Sequence, residues 1–255
     1  MFDTEREGTG TREWSEHTEN ICVGCPNNCL YCYAAHNAHR FGLRSRDQWH
    51  EESLTRKAKI ITYPTRDGVV MFPSSHDITP FNVESYVRVA KLILGKGNQL
   101  LIVSKPRLEC IERLLVELEP WKEQILFRFT IGTVDPQVSQ FWEPGASLPA
   151  ERLESLRAAR DAGYATSVSI EPMLSGRFGA TETFLAVLPF VSETVWIGKM
   201  NRALLRVGPE NKEAVENVLE MQRDAEIVRL VDDLKAYPQI RWKDSVKDVL
   251  AKHVR

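Results

Sequence analysis

The stretch CVGCPNNCLYCYA, Cys22 to Ala34, sets four cysteines within eleven positions of a 255-residue chain that has only five. What these thiols hold decides how the rest of the chain is read. The spacing is C-x2-C-x3-C-x2-C. Two C-x2-C knuckles would supply four thiolates to one zinc ion, but zinc ribbons usually part their knuckles by roughly 12–20 residues so that both fold round the metal. Three residues intervene here, which is tight. Iron–sulfur clusters suit crowded cysteines better, because one wrapped loop reaches several irons. A four-thiolate electron carrier is one form of that reading, although the common bacterial run orders its spacings differently and such carriers are usually much smaller. A third reading sets Cys22 aside and takes Cys25, Cys29 and Cys32 as C-x3-C-x-aromatic-C, with Tyr31 as the aromatic.

Beyond the loop, short β-rich runs alternate with helical stretches. Val69–Pro73 (VVMFP) reads as a buried strand and Val83–Leu94 as a helix. Gln99–Ser104 is a strand, followed by a helix from Leu108 to Leu118 that stops before Pro120. Ile125–Gly132 is again a strand. Pro149 stands near a helix start and Gly163 just past its end, the usual asymmetry of helix boundaries. Ala165–Ile170 is a strand, Thr181–Leu188 a helix and Thr194–Gly198 a strand. Glu210–Ala236 forms one or two charge-rich helices, and a last helix runs from Asp244 to Lys252.

This alternation, with buried Val, Ile and Leu, is the pattern of parallel βαβ units in an α/β fold. About six units would close a complete or partial (β/α) barrel, with chemistry at the C-terminal strand ends. That rule selects 73–77, 104–105, 130–133, 169–172 and 198–201. A doubly wound sheet gives the same periodicity and stands as the rival.

Hydrophobic residues at 43% and charged residues at 27% are ordinary for a soluble globular protein. A net charge of -2 gives no whole-chain signature of nucleic-acid binding. The charge is uneven, however. Residues 1–20 carry six acids against two bases, and residues 36–66 carry seven bases against three acids. The basic segment either faces phosphates of a nucleic-acid partner or is a solvated mixed-charge face. No apolar run approaches the roughly 18–20 residues that span a bilayer, so no membrane association is expected. The acidic beginning MFDTEREGTG lacks the regions of a signal peptide, and the crowded cysteines do not form a secreted disulfide framework. The expected location is cytoplasmic.

The Cys25–Cys29–Cys32 triad resembles the cluster motif of radical S-adenosylmethionine (SAM) enzymes. The resemblance implies that three thiolates bind three irons of a [4Fe–4S] cluster, leaving the fourth iron for the methionine part of SAM. It implies further that an electron donor of flavodoxin or ferredoxin type reduces the cluster, and that SAM then yields methionine and a 5′-deoxyadenosyl radical. The likeness extends over residues 20–205. CLYCYA, SSHD, IVSK, FRFTIGT, FWEPGAS, ERLESLRAARDAGY and SIEPML follow one another in the order of the spore photoproduct lyase-like group, which repairs ultraviolet-linked thymines in DNA. The implied architecture is a partial (β/α)6 radical SAM barrel over residues 19–205, after an N-terminal segment 1–18 and before a C-terminal helical extension 206–255. Modification of a peptide, an RNA or a small molecule is the alternative within the same chemistry.

By position in that resemblance, Tyr31 lies near the adenine, Lys105 contacts the SAM carboxylate, and Thr130 supplies a hydroxyl that helps hold SAM. Asp77 matches an acid that binds the ribose or the SAM ammonium. Lys105 is otherwise an exposed strand-end lysine, and Thr130 a β-branched strand residue. Glu171, a carboxylate at a strand mouth, binds SAM or substrate, or pairs with a nearby arginine. Glu143-Pro144-Gly145 reads as a turn device. Cys110 reads as a small buried hydrophobe on a helix, and Cys22 as a buried residue or adventitious ligand. Where spore enzymes carry a cysteine that returns a hydrogen atom to the product radical, this chain has Ser74. Its O–H bond is far stronger than an S–H bond. The tyrosines that assist that step in relatives are not evident in the stretch AHNAHRFGLRSRDQW that follows the cysteine loop.

Overall fold

The structure, a computed structural model, describes Arg6 and residues 8–253. Most of the acidic start of the chain, residues 1–5 and 7, lies outside the described residues. Strand β1 (His17–Thr18) leads into the cysteine loop, which β2 (Cys22–Val23) and β3 (Ser53–Leu54) pin as a two-residue antiparallel pair. Helix α1 (Tyr33–Arg40) starts on the last cysteine of the loop. There follow β4 (Val69–Met71), α2 (Val83–Leu94), β5 (Gln99–Ser104), α3 (Leu108–Glu117), β6 (Ile125–Thr130), α4 (Pro136–Trp142), α5 (Pro149–Asp161), β7 (Ala165–Ile170), α6 (Gly176–Val187) and β8 (Val195–Ile197). The chain ends with α7 (Ala203–Arg206), α8 (Lys212–Met221), α9 (Asp224–Leu234), β9 (Ile240–Trp242) and α10 (Asp244–His253).

Seven strands lie in the order β1-β4-β5-β6-β7-β8-β9, every neighbouring pair parallel, in a sheet curled into a half-barrel. The partial barrel therefore stands over the doubly wound rival. All six residues of β6 are buried, as parallel strands covered on both faces require. On the outer face Leu100, Ile102, Phe127, Phe129, Val168 and Ile170 pack against the helices. Helix α2 presents Val83, Tyr86, Val87, Ala90, Ile93 and Leu94 to that core, a 3.6-residue stripe. On the inner face Val69, Met71, Leu101 and Leu126 meet Trp14 and Trp196.

The N-terminal turn Gly10–Glu13 enters this concave face. Lys243 fastens it, with Nζ 2.7 Å from Glu13 Oε1 and 2.8 Å from the Gly10 carbonyl, while its ammonium lies 4.1 Å from the Trp14 ring centre. Arg128, buried in mid-strand, sits over Trp14 and Trp196 at 4.8 and 5.2 Å, so the two aromatic faces help carry its charge.

Two edge strands were not expected. β9 adds a strand between the last two helical stretches of the extension read as helical, because three residues with Arg241 in the middle show no alternation. β1 is shorter still. Helix α6 starts five residues ahead of the expected Thr181, at Gly176, where glycines in SGRFGA hide the start. Among the described residues no helix is long and apolar enough to cross a membrane.

Candidate active site

The cysteine loop is shaped by backbone constraints. Gly24 has φ +92°, and a Cβ there would lie 1.9 Å from the Glu51 carbonyl oxygen, so only glycine fits. Cys25 N–H donates to the Trp49 carbonyl at 2.8 Å, and Asn28 takes a left-handed conformation at φ 46°. Cys32 caps α1, its sulfur accepting from Ala35 N–H at 3.4 Å.

The FWEPG segment clasps this loop. Leu30 N–H donates to the Trp142 carbonyl at 2.9 Å, and Gly145 N–H to the Asn27 carbonyl at 3.1 Å. A Cβ on Gly145 would stand 1.9 Å from the Pro26 oxygen. Arg107 bridges both sides, donating to Asn27 Oδ1 at 3.1 Å and to the Gly145 carbonyl at 2.7 Å.

The Glu143-Pro144-Gly145 turn forms as read, Ala146 N–H donating to the Glu143 carbonyl at 3.0 Å, and the Glu143 side chain has a further role. Its carboxylate is fully buried, 2.6 Å from the Arg152 guanidinium and 3.8 Å from Lys105 Nζ, and it accepts the Tyr31 hydroxyl. Glu143 was read from the sequence only as part of a turn and Arg152 not at all, because each side chain looks like one more charge in a polar stretch.

The three cysteines open onto a cavity of about 430 Å³ at the C-terminal ends of the strands. All eight residues marked for cluster or SAM line it: Cys25, Cys29, Cys32, Tyr31, Asp77, Lys105, Thr130 and Glu171. Ser74 lines it as well. Cys22, on β2, and Cys110, buried on α3, do not, so neither is placed to serve as ligand or hydrogen donor there.

The donor set fits an iron–sulfur cluster and SAM. The three thiols line the same cavity, and three thiolates from one loop suit a cluster, in which each iron takes its own. Burial pushes all three thiols up, Cys29 to about 12, so loading a metal centre must displace their protons. Ser169, on β7, also lines the cavity; its hydroxyl is buried without a hydrogen-bond partner, a vacancy that a polar ligand would fill.

Asp77 is more engaged than expected. Oδ1 accepts Lys105 N–H at 2.6 Å and Ser104 Oγ at 3.0 Å, and Oδ2 accepts Asn27 Nδ2 at 2.8 Å. Burial works to raise its pKa, but Lys105 and these hydrogen bonds hold the carboxyl below the usual range. It thus ties the β4 and β5 loops to the cysteine loop. Lys105 is charged: burial opposes its ammonium, but Cys29, Asp77 and Glu143 raise its pKa above the ordinary value. Its Nζ also lies 5.6 Å from the centre of the Tyr31 ring. Thr130 turns into the cavity while its carbonyl accepts from Arg152 at 3.4 Å. Glu171 pairs with Lys243 at 3.5 Å, a lysine rather than the expected arginine; burial, with Glu13 and Asp244 nearby, keeps its pKa raised.

A tyrosine does reach the neighbourhood of Ser74. Tyr33, directly after Cys32, donates its hydroxyl to the Ser74 carbonyl and lines the cavity. It lies two residues before the stretch AHNAHRFGLRSRDQW, in which no such tyrosine is evident. Ser74 Oγ accepts from Asn20 Nδ2 at 2.8 Å. Arg206 was also missed. It is half-buried at the cavity wall, 5.9 Å from the Tyr33 ring centre, with no ion-pair partner among the described residues. Burial and neighbouring Arg202 lower its pKa.

No family model matches this chain. Among solved structures, spore photoproduct lyase complexed with dinucleoside spore photoproduct superimposes at a TM-score of 0.60 and 15% identity, over 94% of this chain and 79% of that one. The fold is that of spore photoproduct lyase. A mutant of spore photoproduct lyase with bound SAM and the dinucleoside gives 0.59 at 16% identity, over 89% of this chain and 76% of that one. An uncharacterized protein, ORF301 of Acidianus two-tailed virus, is 26% identical over 183 residues, 66% of this chain and 60% of the viral protein's length. The half-barrel shared with spore photoproduct lyase is the radical SAM fold, and the residues marked from the sequence stand at its strand mouths.

Proposed function

We propose that the protein is a radical SAM enzyme that cleaves SAM reductively and begins hydrogen abstraction from a nucleic-acid substrate. The observation that carries this reading is the meeting, in one cavity, of three cysteines with Tyr31, Asp77, Lys105 and Thr130. Cys25, Cys29 and Cys32 would hold a [4Fe–4S] cluster, which when bound and reduced supplies the electron that splits a carbon–sulfur bond of SAM. Lys105 offers its ammonium to the SAM carboxylate, Tyr31 its ring to the adenine, and Thr130 and Ser169 their hydroxyls. Asp77 positions Lys105 and Cys25. The cavity walls exclude water from the radical.

Substrate lies toward Tyr33, Ser74 and Arg206. The half-buried Arg206 guanidinium, which has no ion-pair partner among the described residues, calls for an anionic group; Lys199, which also lines the cavity, is already paired with Asp224 at 3.6 Å. A phosphodiester meets that need. The basic segment 36–66 gives weaker support, because Arg44, Arg46 and Lys57 are already bonded within the protein.

Repair of a spore-type thymine dimer also needs a hydrogen atom returned quickly to the product radical. Ser74 offers only a strong O–H bond, and among the described residues the cavity has no cysteine besides the three proposed ligands. Given the photoproduct dinucleotide, the protein is expected to consume SAM with little thymine formed, and Ser74→Cys to raise the thymine yield. Deuterium carried from a labelled oligonucleotide into 5′-deoxyadenosine checks the abstraction step. Rapid, clean conversion to two thymines by the unaltered protein would sink the Ser74 argument. Absence of deuterium transfer from any nucleic acid would sink the substrate class.

A further inference from the structure

The β7–β9 side of the cavity carries a carboxylate that the proposed SAM chemistry does not use. Glu171 stands two residues after Ser169, just past the end of β7, and both side chains line the cavity. Lys243, directly after β9, reaches it across Gly198, which follows β8. A Cβ on Gly198 would lie 2.9 Å from Lys243 Cγ and 3.0 Å from Glu171 Cγ, so glycine leaves the room in which the two side chains meet.

The pairing is incomplete. Lys243 Nζ stands 2.7 Å from Glu13 Oε1 and 2.8 Å from the Gly10 carbonyl, against 3.5 Å from Glu171 Oε2. The ammonium therefore serves Glu13 first, and among the described residues Glu171 has no other partner. Burial raises the Glu171 pKa, Lys243 opposes the rise, and Glu13 and Asp244 add to it. That is the balance of a carboxylate short of donors, with lone pairs left for a ligand in the cavity.

Arg206 supplies the opposite sign in the same cavity. Burial and Arg202 work against its charge and Glu171 favours it, yet among the described residues the two side chains form no ion pair. A ligand that bridges them carries an anionic group at one end and N–H donors at the other. A nucleotide has that form, and the pairing edges of the bases differ in what they offer a carboxylate. Guanine presents N1–H and its N2 amino group side by side, which the two oxygens of one carboxylate accept together. Cytosine and adenine present one amino group beside a bare ring nitrogen. Thymine presents a single N–H between two carbonyl oxygens, and a carboxylate repels both.

We propose that Glu171 selects the substrate base, accepting N–H donors from its pairing edge, guanine foremost, and turning thymine away, while Arg206 takes the phosphate. The inference rests on the nucleic-acid reading of the site and narrows it. Lys243 is then a positioning residue that fixes one oxygen of Glu171 and leaves the rest of the carboxylate to the base. The strong O–H bond of Ser74 argues against thymine-dimer repair through the fate of the product radical. Glu171 argues against it independently, through recognition.

Calorimetric binding of two probes, the dinucleoside monophosphates of deoxyguanosine and of thymidine, to the reconstituted protein reads the preference, with SAM present and no reductant. The wild type should bind the guanine probe about tenfold more tightly or better, the discrimination of one bidentate contact to a base. Glu171→Gln exchanges an acceptor for a donor and should bring the two affinities within about twofold of each other. Glu171→Asp keeps both acceptors on a shorter arm, so binding should weaken while the preference for guanine survives. A carboxylate with a merely structural role would leave the ratio of affinities unmoved in Glu171→Gln, and that result would overturn the proposal. So would a defect confined to SAM affinity, which assigns Glu171 to the cofactor. Equal binding of the two probes by the wild type overturns it without any variant, so a substitution that fails to fold does not protect it. That outcome strikes the base preference alone, whereas a wild type that binds no oligonucleotide of any sequence strikes the nucleic-acid reading and this inference with it.

Discussion

Replacing Glu143 by Gln removes a buried charge on which the SAM side of the cavity leans. The Glu143 carboxylate lies 2.6 Å from Arg152, with both side chains all but inaccessible, and 3.8 Å from Lys105. With an effective dielectric near 20, those separations correspond to gross attractions of roughly 6 and roughly 4 kcal/mol. Desolvation of the buried groups offsets much of this. Breaking one partner of a buried pair typically costs about 3–5 kcal/mol, because the other charge is left unpaired. Arg152 would keep the Ser147 carbonyl at 2.8 Å and the Thr130 carbonyl at 3.4 Å. The lower end, about 3 kcal/mol, is therefore expected. Urea unfolding of the metal-free protein under anaerobic conditions measures it. SAM binding to the reconstituted variant should weaken as well, since Tyr31 and Lys105 lose a common anchor. The double variant Glu143→Leu with Arg152→Met should recover most of the stability, as apolar replacements of buried pairs do, without recovering SAM affinity. If Glu143→Gln costs under about 1 kcal/mol and binds SAM normally, the ion pair does not organise the site.

Replacing Cys25, Cys29 or Cys32 by Ala should abolish iron–sulfur loading, while Cys22→Ala should spare it, because Cys22 lies in the β2–β3 pair outside the cavity; iron and sulfide analysis after anaerobic reconstitution reads the difference. His76 sets a pH dependence. Its Nε2 accepts Ile21 N–H at 3.1 Å and its Nδ1 bonds the Asp77 carbonyl, so the neutral ring is held, and burial lowers its pKa. The unfolded chain then takes up this proton first, and its contribution to stability should be full above the unfolded value near 6.5 and fade as pH falls through the window below it. Urea midpoints at pH 7.5 and about pH 5.5 should differ less in His76→Gln than in wild type.

The long elements were legible because burial imposes their pattern. Val83–Leu94, Gln99–Ser104 and Ala165–Ile170 have the bounds read from sequence, each filling a continuous stretch of the core. β1 and β9 escaped because two or three residues show no period, and α4 because its signal is local chemistry: Asp135 capping Gln137 N–H and Val138 N–H ahead of Pro136. The cavity could be drawn from strand-end phrases. The residues that position its walls could not. Gly145 matters only because Pro26 packs on it, and Glu143 only because Tyr31, Lys105 and Arg152 converge on it from separate elements. Arg206 became informative only once the fold set it in the cavity wall beside Tyr33. Such roles are properties of pairs distant in the chain, and one sequence does not report them.

The central claim is that Cys25, Cys29 and Cys32 hold a cluster that cleaves SAM. The direct measurement is release of 5′-deoxyadenosine and methionine from SAM by the anaerobically reconstituted protein with dithionite, quantified by mass spectrometry. The predicted result is equal amounts of the two products, lost in any of the three Cys→Ala variants and retained in Cys22→Ala. A protein that takes up zinc but no iron, or that loads a cluster and leaves SAM intact under dithionite, would contradict it.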